Sequence, residues 1–241
     1  MFSRVFRWLP RTAKRFSMRN MGHFIRPYPP KTQQKLSFLG MKRSLFIETK
    51  DTPNPKSLKF NPGRMVLEEG AMDFNDKKAA GVSPLAKRLF DLEGVTNVFL
   101  GSDFVSVTVE DESLWHDTKP EVFAVLMDFY QSGLPVIADE ADIVDTAGTE
   151  IMDDDDEVVQ MIKELLEARI RPAVQEDGGD IAYRGFEDGV VKVQLQGSCV
   201  GCPSSSVTLK MGIENMLKHY VPEVTAVEAI DPPGGYESSL Y

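Results

Sequence analysis

The chain has 241 residues, 42% of them hydrophobic, and a formal net charge of −10, which suits a soluble globular protein of one or two domains whose cores need no disulfide staples. The charge is uneven: up to Ile47 there is no acidic residue and 11 of the 27 basic ones, leaving 16 basic against 37 acidic residues in the rest. A body that acidic repels nucleic acid and anionic membrane and favours basic docking partners, and no apolar run approaches the ~18 residues of a membrane span.

Residues 1–44 have the composition of a mitochondrial transit peptide and leader, rich in Arg, containing Ser and free of acid. Phe2, Val5, Phe6 and Leu9 fall on one face of a short helix, with Arg4, Arg7 and Arg11 around the other side. Pro27, Pro29 and Pro30 end any helix, and cleavage is expected between them and Leu45. A basic arm for nucleic acid is the alternative, and the acidic body opposes it. With only Cys199 and Cys202 there is no disulfide framework, consistent with a reducing or matrix-like compartment.

Residues 45–137 read as one α+β domain. A strand is expected over Leu45–Thr49, a turn at Asp51-Thr52-Pro53-Asn54-Pro55, and a second strand over Leu58–Phe60. After the turn Asn61-Pro62-Gly63, Met65–Leu67 is expected to continue the sheet. Ser83 caps a helix with Pro84 at its first position, an apolar face of Leu85, Leu89 and Leu92, and Gly94 at its end. Val95–Leu100 and Phe104–Val109 form a hairpin, with Val105, Val107 and Val109 alternating with Ser106 and Thr108. Glu121–Tyr130 is a helix with Val122, Val125, Leu126 and Phe129 at helical spacing, stopped by Gly133.

Residues 138–155 are acidic, carry Gly148 and the start of the run Asp153–Asp156, and read as a solvated linker. The spacing of an EF-hand is absent. Residues 156–231 then give helix, strand, strand, helix, strand. The first helix carries Val158, Ile162, Leu165, Leu166 and Ile170 on one stripe and is kinked or loosened at Pro172. Gly178-Gly179 stops it. Ile181–Arg184 and Val190–Gln196 pair across Glu187-Asp188-Gly189, with Val191, Val193 and Leu195 inward and Lys192, Gln194 and Gln196 outward. A helix over Ser204–Tyr220 and a strand over Val224–Ile230 complete the domain, and residues 232–241 are a tail.

Between strand and helix lies Gly197-Ser198-Cys199-Val200-Gly201-Cys202-Pro203. Two sulfurs at this spacing can grip one metal centre, and the glycines let the backbone turn tightly. Cys202 just precedes a helix amino terminus, which favours its thiolate. Zinc and the common iron–sulfur clusters take about four protein ligands. The chain supplies two cysteines, and His219 is about 20 Å away along the helix at ~1.5 Å per residue. A four-ligand site inside one chain is therefore not expected. Two copies about a two-fold axis supply four thiolates to one shared centre, and parting the copies or exchanging ligands releases it. Three alternatives stay open on spacing alone: a thioredoxin-like dithiol, a shared zinc and a plain structural pair. Against the dithiol, the element order is not read as a βαβ unit and no Trp precedes the pair.

The stretch Ile170-Arg171-Pro172, Gln175-Glu176-Asp177-Gly178-Gly179-Asp180 and Gly197-Ser198-Cys199-x-x-Cys202-Pro203-Ser204-Ser205 resembles the NifU carboxy-terminal domain. Thr52-Pro53-Asn54-Pro55-x-x-Leu58-Lys59-Phe60, Ser83-Pro84-Leu85-Ala86 and Phe90-x-x-Glu93-Gly94-Val95 resemble the Nfu amino-terminal domain. With the leader, the whole is similar to mitochondrial Nfu proteins. The resemblance implies a non-enzymatic iron–sulfur scaffold or carrier of the mitochondrial matrix, built of two small α+β domains, the second α-β-β-α-β. It implies one labile [4Fe–4S] cluster per homodimer, with [2Fe–2S] as the other type four thiolates accept, held by Cys199 and Cys202. Upstream cluster-assembly proteins would supply it, and lipoyl synthase-type and aconitase-type apoproteins would receive it. No nucleic acid or membrane partner is implied. Glu176, Asp177 and Asp180 either shape the cluster's surroundings or are solvated or capping. The first domain is left without chemistry of its own, and its expected role is partner docking or tuning of assembly.

Overall fold

Strand-forming and helix-forming patterns alternate through the chain, and each apolar stripe finds a partner layer. The computed structural model describes residues 46–138, 148–201 and 203–230, with side chains of 203–206 left out. The leader, residue 45, residues 139–147 of the acidic linker, Cys202 and residues 231–241 lie outside the described residues.

The first sheet has the antiparallel order β1-β2-β5-β4-β3. Its strands are β1 (Glu48–Asp51), β2 (Ser57–Asn61), β3 (Met72–Phe74), β4 (Val95–Leu100) and β5 (Val105–Val109). Helices α1 (Pro84–Leu89) and α2 (Trp115–Ser132) cover one face. Phe60, Val98, Leu100, Val105 and Val107 from the sheet meet Leu85, Leu89, Leu126 and Phe129 in a buried core. The Ser83 hydroxyl accepts from the Ala86 N–H, the expected cap. Gly133 ends α2 at φ +71, where a side chain would be strained.

Two expectations for this domain are corrected. Met65–Leu67 is a loop, tied by the Val66 and Leu67 N–H groups to the Ser102 carbonyl at 2.7 and 3.3 Å. The edge strand is instead β3, whose three residues are too few to show an alternation. Helix α2 also begins six residues before the expected Glu121, with Pro120 inside it. The gain is burial of Trp115 and Thr118.

The second domain contains α3 (Glu157–Leu165), α4 (Arg171–Glu176), β6 (Gly179–Glu187), β7 (Val190–Gly197), α5 (Pro203–Tyr220) and β8 (Ala226–Ala229). This is the expected helix, strand, strand, helix, strand order, with the first helix in two parts. Between α3 and α4, residues Leu166–Ile170 form a π-helical stretch. That widened turn absorbs the N–H missing at Pro172, so the helix is re-registered rather than broken. Asp156 caps α3 by accepting from the Glu157 N–H. The hairpin closes on Asp188 at φ +50 and Gly189 at φ +80, the positive-φ pair of a two-residue turn. Strand β8 pairs with β7 in parallel, so α5 is a crossover and β7-α5-β8 is a βαβ unit. This corrects the expectation that the order is not a βαβ unit, since only the register distinguishes a parallel return.

The most informative departure concerns the faces expected to meet water. Cross-strand register lines up Asp73, Phe99, Ser106, Lys59 and Lys50 across all five strands of the first sheet. Ser106 is 1% exposed and Lys59 6%. Gln194 and Gln196, the expected outer residues of β7, are buried as well. Strand β7 packs against β4 and β5, and the described residues from 46 onward belong to one compact unit. The sheet face opposite the helices is thus covered by the second domain.

Candidate metal centre

The cysteine loop leaves β7 at Gly197 and enters α5 at Pro203. Gly197 takes φ +63 and Gly201 φ +70, conformations that suit glycine. The Val200 N–H returns to the Gly197 carbonyl at 3.1 Å, closing a turn around Cys199. The Ser198 N–H donates to Gly178 O at 3.3 Å, and its hydroxyl donates to Asp177 O at 2.7 Å. The Gly-Gly pair therefore does more than stop a helix. A Cβ on Gly179 would lie 2.6 Å from Cys199 Sγ, so only glycine leaves room for the sulfur. Cys199 itself is 5% exposed.

Gly197 is tightly hemmed in. A Cβ there would sit 2.8 Å from Phe99 Cγ and 3.0 Å from the Gly178 carbonyl. Left-handed strain and overpacking together predict that Gly197→Ala destabilises the chain by about 2–4 kcal/mol. Urea unfolding would read the loss, and an unchanged midpoint would contradict this packing.

The first domain holds the loop from the other side. Asn54 Nδ2 donates to Ser198 O at 3.2 Å and to Val200 O at 3.3 Å. Its Oδ1 accepts the Lys56 N–H at 3.1 Å, and its own N–H reaches Thr52 Oγ1 at 3.2 Å. The Thr52-Pro53-Asn54-Pro55 turn is thus an aiming device for one amide. Ser106 Oγ donates to Gly178 O at 2.6 Å, and Lys59 Nζ donates to Gln175 O at 2.7 Å. Lys59 Nζ also lies 4.1 Å over the Phe104 ring. Burial lowers the Lys59 pKa, against the raising effect of Asp103. None of these three side chains was singled out as a site residue. The turn motif was the available signal for Asn54, but its polar character points outward as readily as toward a partner.

Asp180 and its acidic neighbours separate. Asp180 is 1% exposed and accepts from Arg171 Nε at 3.0 Å, Arg171 Nη2 at 3.1 Å and the Ile181 N–H at 2.8 Å. These partners place it in the frame of the loop. Glu176 and Asp177 are exposed. Burial raises the Asp177 pKa, with the Glu176 charge acting in the same direction. His219 packs edge-on against Tyr220 at the far end of α5. Among the described residues, no three His, Cys, Asp or Glu side chains gather as a metal site. Also among them, no helix is long and apolar enough to cross a membrane.

Asp73, at the end of the cross-strand row, accepts the Asn97 amide at 2.8 Å. Burial pushes its carboxyl up to about 6, although hydrogen bonds from Asn97 and the Gly197 backbone act to lower it. The folded chain then holds this proton more tightly than the unfolded chain, whose reference value is 3.8. Stability from this group is present below about pH 4 and is lost as pH rises through about 6, by on the order of 3 kcal/mol. Asp73→Asn should flatten that slope in urea titrations between pH 4.5 and 7.5; an unaltered slope would assign it elsewhere.

Fold and site define the class: a two-domain α+β protein whose Cys-x-x-Cys loop sits at a strand-to-helix junction beneath the other domain. Residues 47–133 match the family model described as scaffold protein Nfu/NifU N terminal, and residues 162–228 match the NifU-like domain. The chain belongs to the Nfu family of iron–sulfur cluster scaffold proteins. It is 58% identical over 189 residues to the human "NFU1 iron-sulfur cluster scaffold homolog, mitochondrial", covering 78% of this chain and 73% of that one. A Drosophila persimilis protein of the same description is 56% identical over 206 residues, 85% of this chain and 72% of its own. "NifU-like protein 4, mitochondrial" of Arabidopsis thaliana is 58% identical over 200 residues, 81% and 70% of the two chains. A solved NifU-like protein from Saccharomyces cerevisiae aligns over 49% of this chain and 98% of its own at 25% identity. Its TM-score of 0.35 is too low to compare geometry.

Proposed function

We propose that this chain is a non-enzymatic carrier of the mitochondrial matrix. It holds a labile [4Fe–4S] cluster as cargo between two copies, through Cys199 and Cys202 of each, and passes it to apoproteins. The observation that carries the reading is a glycine-lined loop that holds Cys199 at a strand-to-helix junction, in a family of scaffold proteins. A chain with only two cysteines meets a four-thiolate demand by pairing with itself. Helix α5, which follows Cys202, leaves Val207 and Met211 61% and 59% exposed one turn apart, apolar surface available to a second copy. The mitochondrial descriptions of the relatives and the acid-free leader support the compartment. Expected recipients are lipoyl synthase-type and aconitase-type apoproteins, with upstream assembly proteins as donors.

The βαβ setting of the pair keeps a thiol–disulfide oxidoreductase as the second reading. Native mass spectrometry of the leader-free chain, reconstituted anaerobically with iron and sulfide, separates the two. A dimer holding about four irons and four sulfides is the expected result. A folded monomer without iron, turning over a disulfide substrate with a reductant, would overturn the carrier reading.

A further inference from the structure

We propose that the first domain is a removable cover over Cys199. The docked arrangement is the cluster-free resting form, and the cover lifts before a second copy can share a cluster. This rests on the carrier reading.

The cover is made of the cross-strand row and the Asn54 turn. Four backbone carbonyls of the second domain, those of Gln175, Gly178, Ser198 and Val200, accept from three side chains of the first, Lys59, Ser106 and Asn54. Phe99 closes the floor against Gly197. Every one of these carbonyls lies in the segments that frame the cysteine, and two of them flank it directly. Cys199 is 5% exposed: Gly179 and its own domain's core enclose it, and the first domain pins the carbonyls on either side of it, so the docked loop offers no open side for a cluster and a partner's loop. A shared cluster demands such a side.

The same contacts explain why the cover can lift. Water can replace each side-chain donor at a carbonyl, so undocking leaves no backbone acceptor stranded. Each domain keeps its own apolar core when they part, one between the first sheet and α1 and α2, the other around β6, β7, α3 and α5. Beside these hydrogen bonds the interface buries Phe99 and Phe104, a small apolar share, and mixed interfaces between domains with separate cores are the kind that open reversibly.

The test uses the full chain. In cluster-free protein, the alkylation rate of Cys199 by iodoacetamide is followed by peptide mass spectrometry. Asn54→Asp keeps the acceptor for the Lys56 N–H but turns both contacts to the loop from donation to repulsion. Its Cys199 rate should rise about tenfold or more over the parent. Ser106→Ala, which removes the donor to Gly178, should move the rate in the same direction if the first variant folds poorly. Melting curves and circular dichroism separate opening from global unfolding. Parent-like rates in both folded variants would overturn the cover, as would a parent rate equal to that of the urea-unfolded chain. This arm needs no cluster, so it decides the cover even if the carrier reading fails. In loaded dimer, hydroxyl-radical labelling of Phe99 should rise several-fold over the cluster-free chain. Unchanged labelling of Phe99 would show that loading proceeds with the cover closed.

Discussion

Replacing Cys199 by Ser is expected to abolish stable cluster binding while leaving both domains folded. In the shared arrangement one substitution removes two of four thiolates, because each copy contributes the altered residue. A hydroxyl is a far poorer iron ligand than a thiolate, and among the described residues no three His, Cys, Asp or Glu side chains gather to replace it. The fold should tolerate the change. Cys199 is part of the second core, and a small buried hydroxyl in its place costs about 1–2 kcal/mol. Cys202→Ser should lose the cluster equally. The measurement is iron and sulfide per chain after anaerobic desalting, alongside circular dichroism. A cluster retained in either variant refutes the ligand assignment.

Asp180→Ala is expected to be the most destabilising single change around the loop, by about 3–5 kcal/mol. It removes the acceptor of a two-pronged guanidinium contact and leaves Arg171, largely buried, with only the exposed carboxylate of Glu167. A guanidinium keeps its proton in any protein environment, so the cation cannot escape by deprotonating once Asp180 is gone. The Ile181 N–H loses its partner at the same time. Asp180→Asn keeps an acceptor for that N–H and should cost less. A double change, Arg171→Met with Asp180→Leu, should recover much of the loss, since neither charge is then buried alone. Urea unfolding of the three variants checks the ranking. A double variant as unstable as Asp180→Ala would show that packing, not the lost pair, sets the cost.

The apolar half of the architecture was readable in advance. Val105, Val107 and Val109 alternate against polar neighbours, Leu85 and Leu89 mark a helix face, and Ser83-Pro84 marks its start. Each signal reports burial against hydrocarbon, which hydropathy registers directly. Gln194 and Gln196 read as the outer face of their strand and are buried instead, and Ser106 and Lys59 are buried on the facing sheet. A polar surface closed by hydrogen bonds to another domain's backbone looks, residue by residue, like one facing solvent. The same blind spot hid Asn54, visible as a turn former but not as the donor to Ser198 and Val200. Strand β3 failed for a different reason, since Met72–Phe74 is positioned by β4 and carries no pattern of its own. Cys199 is legible because the Cys-x-x-Cys spacing is local; its enclosure by Gly179 and the pinning of its loop by the first domain are not local and have no signature.

The sequence separations within the cover bear on the order of folding. Its contacts join residues 72, 116, 144 and 146 positions apart, whereas the longest strand pairings inside each domain, Ser57 with Thr108 and Val190 with Ala226, span shorter stretches of chain. Chain segments that far apart meet late, after the local units have condensed. A newly folding molecule therefore passes through an interval in which the cysteine loop exists but its lid has not yet formed. Youth, in this protein, is the state in which Cys199 is most accessible, both to an incoming cluster and to oxidation.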